Sequence, residues 1–371
     1  MKTQLINLYP DFNLADLRPA ARAIREGQLV AFPTETVYGL GASALAPEAI
    51  KQVFRVKGRP QDNPLMVHLS KIEDLDKVAV NIPETAYRVL EDFAPGPLTI
   101  IVEKAPNLSD EITAGLTTVA IRFPENRVAR ALIEEAGVPI VAPSANLSGK
   151  PSPTKAWHVM QDLDGKVPYV LDGGPCRCGL ESTILDLTSD PAEILRPGLV
   201  SASEISRRTG LFVKDYRAPQ KAIEKPKAPG QKYRHYSPTA KVLILGLAGD
   251  RPRLERLEEG ILNFMATEAG LEAVARKRLR LGLFFADSFA QEFEKAEFLL
   301  NLEKKLGVDL ESQQHTYDNS QGAGQAAHDL FDQFREFDRI GVDLIICTAE
   351  ASKEAGIAYM NRLGKAASYR V

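Results

Sequence analysis

The sequence lacks the features that would point to a secreted or membrane protein. It has only three cysteines, an odd number and too few for a disulfide scaffold, which is typical of a reducing cytosol. No apolar run approaches the roughly 18 residues that a membrane span needs, and the N-terminal MKTQLINLYPDF has no apolar signal core. These absences predict a cytoplasmic protein without a membrane segment.

An excess of charge of one sign is also absent. The 46 Lys and Arg residues nearly cancel the 49 Asp and Glu residues, so the net charge of −3 disfavours a general polyanion binder but is compatible with a local basic groove. Charged residues at 26% and hydrophobic residues at 44% exclude wholesale disorder. At the usual ~150 residues per domain, a chain of 371 residues is expected to form two domains or three.

Common phosphate-binding and hydrolase motifs are missing as well. There is no G-x-x-x-x-G-K-[ST] phosphate loop, no H-E-x-x-H and no G-x-S-x-G nucleophile elbow. Cys176 and Cys178 have no second cysteine pair or nearby histidine to complete a zinc site, and no activating base for a cysteine nucleophile is identifiable. Any phosphate chemistry therefore uses a scaffold other than the P-loop.

Two loose G-x-G-x-x-A matches begin at Gly39 and at Gly322. A dinucleotide fingerprint needs a strand directly before the glycines and a helix that opens on them. PTETVY separates the first match from its strand, and the second follows QQHTYDNSQ, which has the composition of a polar loop. The sequence therefore disfavours dinucleotide binding.

Helix-like and strand-like segments alternate over the first part of the chain. Helices are predicted at Leu14–Gly27, Pro47–Val56, Pro83–Phe93 and Glu125–Ala136. Strands are predicted at Leu29–Phe32, Leu65–Leu69, Leu98–Val102, Thr118–Phe123, Pro139–Ala142, Tyr169–Asp172 and Thr183–Leu187. Because some consecutive strands are too close for a crossover helix, this α/β pattern predicts a mixed sheet covered by helices.

Periodicity disappears in the Pro-rich, charged stretch YRAPQKAIEKPKAPGQKYRHYSP, and a new α/β pattern begins at Lys241. The strands predicted there are KVLILGL, LRLGLFF, EFLLNL and GVDLIICTA, separated by helices. The expected organisation is a first α/β domain over residues 1–212, an extended linker over 213–239 and a smaller Rossmann-like α/β domain over 240–371.

Two loop-like strings in the first domain carry residues suited to a small ligand. FPTETVYGLG places polar side chains and glycines after a strand, which fits either a ligand loop or an ordinary turn. KGRPQDNPL places Lys57 and Arg59 around a glycine, so the two cations can converge on an anion, although a helix end alone also favours cations. Asn63 and His68 follow closely, and a histidine in an apolar strand is more often a core residue.

Two further strings follow strands, at the position where open α/β sheets place ligand loops. VAPSANLSGKPSPT carries Ser144, Asn146 and Ser152, whose hydroxyl and amide groups can bond phosphate or ribose oxygens, although the same composition describes a simple turn. DGGPCRCGLESTILDL and ILRPG carry Ser182 and Arg196, which are a polar donor after a Gly-rich bend and a cation before Pro-Gly.

In this order, FPTETVYGLG, KGRPQDNPL, APSANLSG and GLESTILD resemble the YrdC-like family of threonylcarbamoyl-AMP synthases over roughly residues 10–212. APGQKYRHYSP and the α/β tail resemble the linker and C-terminal domain of its two-domain, Sua-type members. The resemblance implies a YrdC-like twisted mixed sheet and an enzyme that converts L-threonine, bicarbonate or carbon dioxide, and ATP to threonylcarbamoyl-AMP and pyrophosphate. It also implies Mg²⁺ carried by ATP, no protein-bound metal or organic cofactor, and a downstream transferase that modifies tRNA.

The resemblance also assigns site residues. The family's K-x-R and S-x-N signature falls on Lys57, Arg59, Ser144 and Asn146, which would be catalytic. The implied ATP-binding residues are Lys57, Arg59, Asn63, Thr118, Ser144, Ser152, Arg196 and Tyr236, and the implied threonine-binding residues are Thr36, His68, Arg122, Ala142 and Ser182. The linker residues Tyr233, Arg234, His235 and Tyr236 would close over the site as a lid. Cys178 departs from the family pattern, which has a small aliphatic residue there.

Two other functions stay open at this point. One is a related carbamoyl-transfer activity, because YrdC-like domains also occur in hydrogenase-maturation proteins. Those proteins carry acylphosphatase and zinc-finger modules, which this sequence lacks. The other is an RNA-binding protein with a basic groove, which the near-neutral charge and the lack of RNA-binding motifs disfavour.

Overall fold

The structure is a computed structural model that describes residues 2–218, 226–232, 235–246, 254–295, 297–320, 322–351 and 353–371. Within these ranges, no helix is both long and apolar enough to cross a membrane. The chain divides into two compact units, Met1–Tyr233 and Arg234–Val371, and the boundary falls inside the segment predicted as a linker. Each unit has its own sheet and its own hydrophobic core.

An eleven-stranded sheet runs through the described part of the first unit. Its strands are β1 (Gln4–Asn7), β2 (Val30–Phe32), β3 (Gly39–Ser43), β4 (Met66–His68), β5 (Leu98–Glu103), β6 (Thr118–Arg122), β7 (Ile140–Val141), β8 (Tyr169–Asp172), β9 (Thr183–Asp186), β10 (Ala192–Arg196) and β11 (Val213–Lys214). Their spatial order is β1-β8-β2-β3-β7-β4-β6-β5-β9-β10-β11. β6 pairs in parallel with β4 and antiparallel with β5, so the predicted mixed sheet is confirmed.

Helices cover both faces of this sheet. They are α1 (Leu14–Arg25), α2 (Pro47–Lys57), a 3₁₀ helix (Ile72–Lys77), α3 (Glu84–Phe93), α4 (Asp110–Thr113), α5 (Arg127–Ala136), α6 (Ala156–Leu163) and α7 (Ala202–Thr209). α1 and α5 share one hydrophobic cluster, whereas α2, α3, α6 and α7 contribute to a larger one. Val30 and Phe32 belong to the first cluster and Ala31 to the second, because successive side chains of a strand point to opposite faces.

The end of α2 sets the geometry of the K-G-R string. Ile50 and Phe54 recur at helical spacing and are buried, so this face of the helix packs on the sheet. Gly58 ends the helix in the left-handed conformation, with φ at 60°, which glycine adopts without steric cost. Lys57 and Arg59 therefore lie on either side of a sharp bend.

The described part of the second unit has a five-stranded, all-parallel sheet. Its strands are β12 (Lys241–Leu245), β13 (Arg278–Ala286), β14 (Asp309–Tyr317), β15 (Leu344–Thr348) and β16 (Tyr369–Arg370), in the spatial order β14-β13-β15-β12-β16. Its helices are α8 (Leu254–Met265), α9 (Glu268–Ala275), α10 (Asp287–Lys295), α11 (Phe298–Leu306), α12 (Gly324–Ile340) and α13 (Ala355–Ala366). The predicted Rossmann-like α/β architecture is thus confirmed.

Two segments of this unit differ from the sequence prediction. EFLLNL, predicted as a strand, lies mostly in α11, where Phe298, Leu302 and Leu306 recur at helical spacing. QQHTY, predicted as part of a polar loop, forms the end of β14. β14 is the edge strand and most of its side chains are at least partly exposed, so it carries no apolar signal. The second G-x-G-x-x-A match therefore has a strand nearer to it than predicted, but residues 318–321 still separate β14 from Gly322.

Candidate active site

Lys57 joins the K-G-R string to the loop that contains Ser144 and Asn146. Lys57 is 3% exposed, and its ammonium group donates hydrogen bonds to the backbone carbonyls of both loop residues, at 2.5 Å for Asn146. The backbone N–H of Ser148 donates in turn to the Lys57 carbonyl at 2.8 Å. Two strings that are far apart in sequence therefore form one wall, with a buried cation between them.

Arg59 and Asn63 are organised by the turn that follows α2. The Arg59 guanidinium donates from Nε to the Asn63 carbonyl at 3.2 Å and from Nη2 to the Pro64 carbonyl at 2.8 Å. The Asn63 side chain is buried, and its Oδ1 has no hydrogen-bond partner among the described residues. A buried oxygen without a partner costs free energy, so a ligand with an N–H or O–H donor would stabilise this position.

The loop after β7 runs beside the first polar string. Ser144 forms a backbone bridge with Gly39, the first residue of β3. Asn146 donates from Nδ2 to the carbonyls of Leu147 and Lys150, at 2.8 and 2.9 Å. Its Oδ1 is buried and, like that of Asn63, has no partner in the described part of the chain. The wall thus presents two buried acceptor oxygens to a ligand.

A buried network of hydrogen bonds around the adjacent residues Glu181 and Ser182 contains the predicted site residues Ser152, Ser182 and Arg196. Ser152 Oγ donates to Glu181 Oε1 at 2.6 Å, and Ser182 Oγ lies 2.7 Å from Thr99 Oγ1. Arg196 donates from Nε to the Ser182 carbonyl at 3.0 Å and from Nη2 to Ser182 Oγ at 3.1 Å. All five residues are buried, so the network holds a cation and two serine hydroxyls in one fixed arrangement.

Gly198 permits the turn after Arg196 to pack closely against Thr183. A Cβ at Gly198 would lie 2.3 Å from the backbone nitrogen of Thr183, a distance at which no side chain fits. Thr183 in turn donates from Oγ1 to the Val200 carbonyl at 2.7 Å. The turn after Arg196 therefore depends on the missing side chain of Gly198.

Arg122 ends β6 and contacts three other residues. It donates from Nη1 to Thr36 Oγ1 at 2.6 Å and from Nε to the Gly96 carbonyl at 3.4 Å. Its Nη2 lies 2.7 Å from Glu35 Oε1, and both of these side chains are 4% exposed. A guanidinium, a carboxylate and a hydroxyl therefore share one space closed to water.

His68 lies beside Arg122 in the sheet and is neutral. β4 and β6 pair in parallel with His68 in register with Arg122. Complete burial, with a smaller contribution from the Arg122 charge, lowers the pKa of His68 to about 3. Its Nδ1 is buried and has no hydrogen-bond partner among the described residues. The ring thus retains a nitrogen that can form one further hydrogen bond with a ligand without carrying charge.

Two other predicted site residues lie at the ends of β7 and β6, the strands on either side of β4. Ala142 directly follows β7, is buried, and donates from its N–H to the Met66 carbonyl at 2.9 Å. Thr118 begins β6, is half-buried, and pairs with Glu103 of β5. Ala142 therefore lies next to β4, the strand of His68, whereas Thr118 lies at the opposite end of β6 from Arg122.

Tyr236 belongs to the second unit. Its ring stacks on that of Phe331 with centroids 5.0 Å apart, and the Arg362 guanidinium lies 5.6 Å from the ring centroid. Tyr233 and Arg234, the first two residues of the predicted lid, lie outside the described residues. The role of this segment as a lid stays a prediction.

Cys176 and Cys178 are buried and are not reactive groups. Burial raises the pKa of Cys178 to about 11 and that of Cys176 well above its ordinary value, so both thiols stay protonated at neutral pH. The backbone N–H of Cys178 donates to the Glu35 carbonyl at 2.7 Å. In the part of the chain that the structure describes, no group of His, Cys, Asp and Glu side chains is arranged to hold a metal ion.

Three residues in contact with the predicted site residues are absent from the prediction. Glu35 contacts Arg122, Thr99 contacts Ser182, and Glu181 contacts Ser152. Glu35 lies inside the PTET string, which the sequence does mark as a candidate ligand loop. Thr99 and Glu181 carry no local signal, because an isolated threonine in a strand and a glutamate in a loop are common. Their contacts with Ser182 and Ser152 follow only from the folded chain.

Two family models match the chain. Residues 22–198 match the Sua5_yciO_yrdC model, whose description is "Telomere recombination". Residues 200–368 match the Sua5_C model, described as "Threonylcarbamoyl-AMP synthase, C-terminal domain". Together the matches include both strand-rich parts of the chain.

Full-length relatives are similar over both units. The chain is 41% identical over 369 residues to the threonylcarbamoyl-AMP synthase of Pyrococcus abyssi (strain GE5 / Orsay), with 100% of this chain and 99% of the relative covered. It is 40% identical over 366 residues to that of Bacillus subtilis (strain 168), with 97% and 95% covered. The crystal structure of P. abyssi Sua5 complexed with L-threonine superposes with a TM-score of 0.83 at 39% identity, over 100% of both chains.

Proposed function

The chain belongs to the Sua5 family of threonylcarbamoyl-AMP synthases, and from this premise we infer that its first unit makes threonylcarbamoyl-AMP and pyrophosphate from L-threonine, ATP and bicarbonate or carbon dioxide. One observation carries the assignment of the site. The buried Lys57 ammonium bonds the carbonyls of Ser144 and Asn146, so both halves of the family's K-x-R and S-x-N signature meet in one wall.

ATP fits the cationic side of this site. The proposed ATP-binding residues are Lys57, Arg59, Asn63, Thr118, Ser144, Ser152, Arg196 and Tyr236. Lys57 and Arg59 can neutralise the triphosphate, which arrives as a complex with Mg²⁺. The unpartnered Oδ1 atoms of Asn63 and Asn146 match the donors that a nucleoside offers, namely ribose hydroxyls and the adenine amino group.

We assign L-threonine to the residues around Arg122. The proposed threonine-binding residues are Thr36, His68, Arg122, Ala142 and Ser182. Arg122 can bind the α-carboxylate through a two-pronged hydrogen bond. The neutral His68 ring and the Ser182 hydroxyl are groups that can recognise the threonine hydroxyl without a charge. The relative crystallised with L-threonine supports this choice of substrate for the pocket.

The reaction needs positioned substrates and stabilised phosphate charge. The neutral threonine amine attacks carbon dioxide, loses a proton and becomes a carbamate. A carbamate oxygen then attacks the α-phosphorus of ATP, which forms the mixed anhydride and breaks the bond to pyrophosphate. Lys57 and Arg59 would stabilise the charge that develops on the phosphate oxygens, and no covalent enzyme intermediate is required.

Part of the linker lies against the first unit. Within residues 226–232, Ala228 is buried in a cluster with Met66 and Ala120, and Lys227 pairs with Asp186 at 3.1 Å. We assign to the following segment, which includes Tyr236, the role of a cover that keeps water from the labile product. A separate transferase would then take up the threonylcarbamoyl-AMP and transfer its threonylcarbamoyl group to tRNA.

Pyrophosphate release tests the proposed function. With ATP, threonine and bicarbonate present, the protein should release pyrophosphate, and omission of either threonine or bicarbonate should stop it. Release that continues without threonine would contradict this function, and release that needs carbamoyl phosphate in place of threonine and bicarbonate would indicate a carbamoyl-adenylate-forming enzyme. Tight RNA binding with no release would indicate an RNA-binding protein.

Arg59→Ala tests the cationic wall within that assay. Loss of one donor to the developing phosphate charge should lower kcat by about a hundredfold or more. Arg55→Ala, at an exposed position in the last turn of the same helix, is the matched control and should leave kcat unchanged. Equal rates for both variants would contradict the role of Arg59.

A further inference from the structure

We propose that Glu35 is a positioning residue for the amino-acid substrate, and that it acts by orienting and charge-balancing the guanidinium of Arg122. The inference rests on the proposed function, because it takes Arg122 to be the group that binds the threonine carboxylate. It adds a residue that the family-derived site does not contain.

The ion pair joins two elements that are not neighbours in the sheet. Glu35 lies between β2 and β3, whereas Arg122 ends β6, and strands β3, β7 and β4 separate β2 from β6. The two charged atoms are 2.7 Å apart, and each side chain is only 4% exposed. Removal of one partner would leave the other charge buried and uncompensated, which costs free energy. The carboxylate of Glu35 therefore stabilises the buried position of the Arg122 guanidinium.

Glu35 is itself held at two points. Its Oε2 accepts the backbone N–H of Glu125 at 3.1 Å, and its backbone carbonyl accepts the N–H of Cys178 at 2.7 Å. These two donors come from the loops that follow β6 and β8. The carboxylate therefore has a fixed direction, and Arg122 is oriented against it.

The pair also leaves hydrogen-bonding capacity for a ligand. Arg122 Nη2 and Glu35 Oε1 form a close charge contact, but no N–H of Arg122 is aligned on the oxygen, and neither atom has an aligned partner elsewhere in the described residues. A guanidinium has five N–H donors, and the bonds to Thr36 and Gly96 use two of them. A substrate carboxylate can accept from the donors that remain.

A glutamine cannot replace this carboxylate. Two donor groups, from Arg122 and from the Glu125 backbone, lie beside its two oxygens. The NH₂ of a glutamine side chain would oppose one of them, whichever way the amide is turned. Glu35→Gln therefore removes the charge and disturbs the orientation of Arg122, although the side-chain shape is nearly unchanged.

Isothermal calorimetry on the full chain tests the proposal. Glu35→Gln should raise the Kd for L-threonine by about ten- to a hundredfold, the range for one lost hydrogen bond to a charged group, and leave the Kd for ATP within about twofold. Threoninamide, which lacks the carboxylate, should bind the variant and the unchanged protein equally. Glu125→Gln is the matched control, because its side chain pairs with Arg177 at the surface and it contacts Glu35 through the backbone.

A double variant tests whether Glu35 acts through Arg122. If it does, Glu35→Gln should add little to the loss of threonine affinity caused by Arg122→Lys, because the geometry that it supports is already gone. Additive losses would overturn the proposal, as would a Kd for threonine equal to that of Glu125→Gln, or equal losses of threonine and ATP affinity.

Failure of this proposal is separable from failure of the proposed function. If the unchanged protein releases no pyrophosphate with threonine, the proposed function is wrong. If it does, and Glu35→Gln behaves like its control, only the role of Glu35 is wrong. Should Glu35→Gln not fold, Glu35→Asp keeps the charge but is one methylene shorter, and unchanged threonine affinity in that variant would also overturn the proposal.

Discussion

Replacement of Lys57 by methionine tests the wall between the K-G-R string and the loop after β7. Methionine keeps most of the aliphatic stem, but it removes the donor to the carbonyls of Ser144 and Asn146. Each carbonyl left without a partner costs about 1–3 kcal/mol, so the free energy of unfolding of the first unit should fall by about 2–6 kcal/mol. The loss of a cation beside the proposed triphosphate site should also lower the rate of pyrophosphate release by about a hundredfold or more.

The single tryptophan allows this loss to be measured in the first unit alone. Trp157 lies in α6, so its fluorescence during denaturant unfolding follows that unit. Lys51→Met is the matched control on the same helix, because Lys51 is 42% exposed and pairs with Glu48 at the surface. Its effect should stay below about 0.5 kcal/mol. Coincident Trp157 transitions for the two variants would refute the structural reasoning, and an unchanged rate in Lys57→Met would refute the catalytic role.

Two further predictions concern the turn after β10 and the neutral histidine. Gly198→Ala should destabilise the first unit by about 1–3 kcal/mol or more, because a Cβ there would lie 2.3 Å from the backbone of Thr183, and an unchanged melting temperature would contradict this. Because the pKa of His68 is about 3 in the folded chain, against an ordinary 6.5, its stabilising effect is present above pH 6.5 and is lost as the pH falls. When the pH falls from 6 to 4, the free energy of unfolding of His68→Gln should therefore decrease less steeply than that of the unchanged protein, by up to about 1.4 kcal/mol per pH unit. Parallel pH profiles for the two proteins would show that the ring is not held neutral.

The strands that are buried on both faces could be predicted from the sequence. The segment predicted at Leu98–Val102 is β5, and that at Thr118–Phe123 is β6, because continuous apolar runs have few other places in a mixed sheet. β3 has no such signal, since its glycines and small residues resemble a loop. The structure explains them by packing: a Cβ at Gly41 would lie 2.8 Å from the ring of Phe32. A glycine in a strand can therefore mark a close contact and not a ligand loop.

The pairing of buried charges in the site could not be predicted in the same way. The motifs place Lys57 and Ser144 in the site through a family resemblance, but no local pattern says that one side chain bonds the other's backbone. The partners of Arg122 are harder still to predict, because Glu35 follows β2, and three strands separate β2 from β6 in the sheet. Such contacts depend on the sheet order, which hydrophobic periodicity does not specify.

Three cations are buried in the described part of the first unit, and they share one arrangement that bears on how the site works. Lys57, Arg122 and Arg196 are 3%, 4% and 6% exposed, and each binds its own protein before any substrate arrives. Lys57 bonds loop carbonyls, Arg122 faces a carboxylate, and Arg196 bonds a serine. Charges fixed in this way need little reorganisation when a reaction develops charge, which is the condition under which electrostatic stabilisation is most effective. The net charge of −3 therefore conceals a site whose cations are oriented by the fold itself.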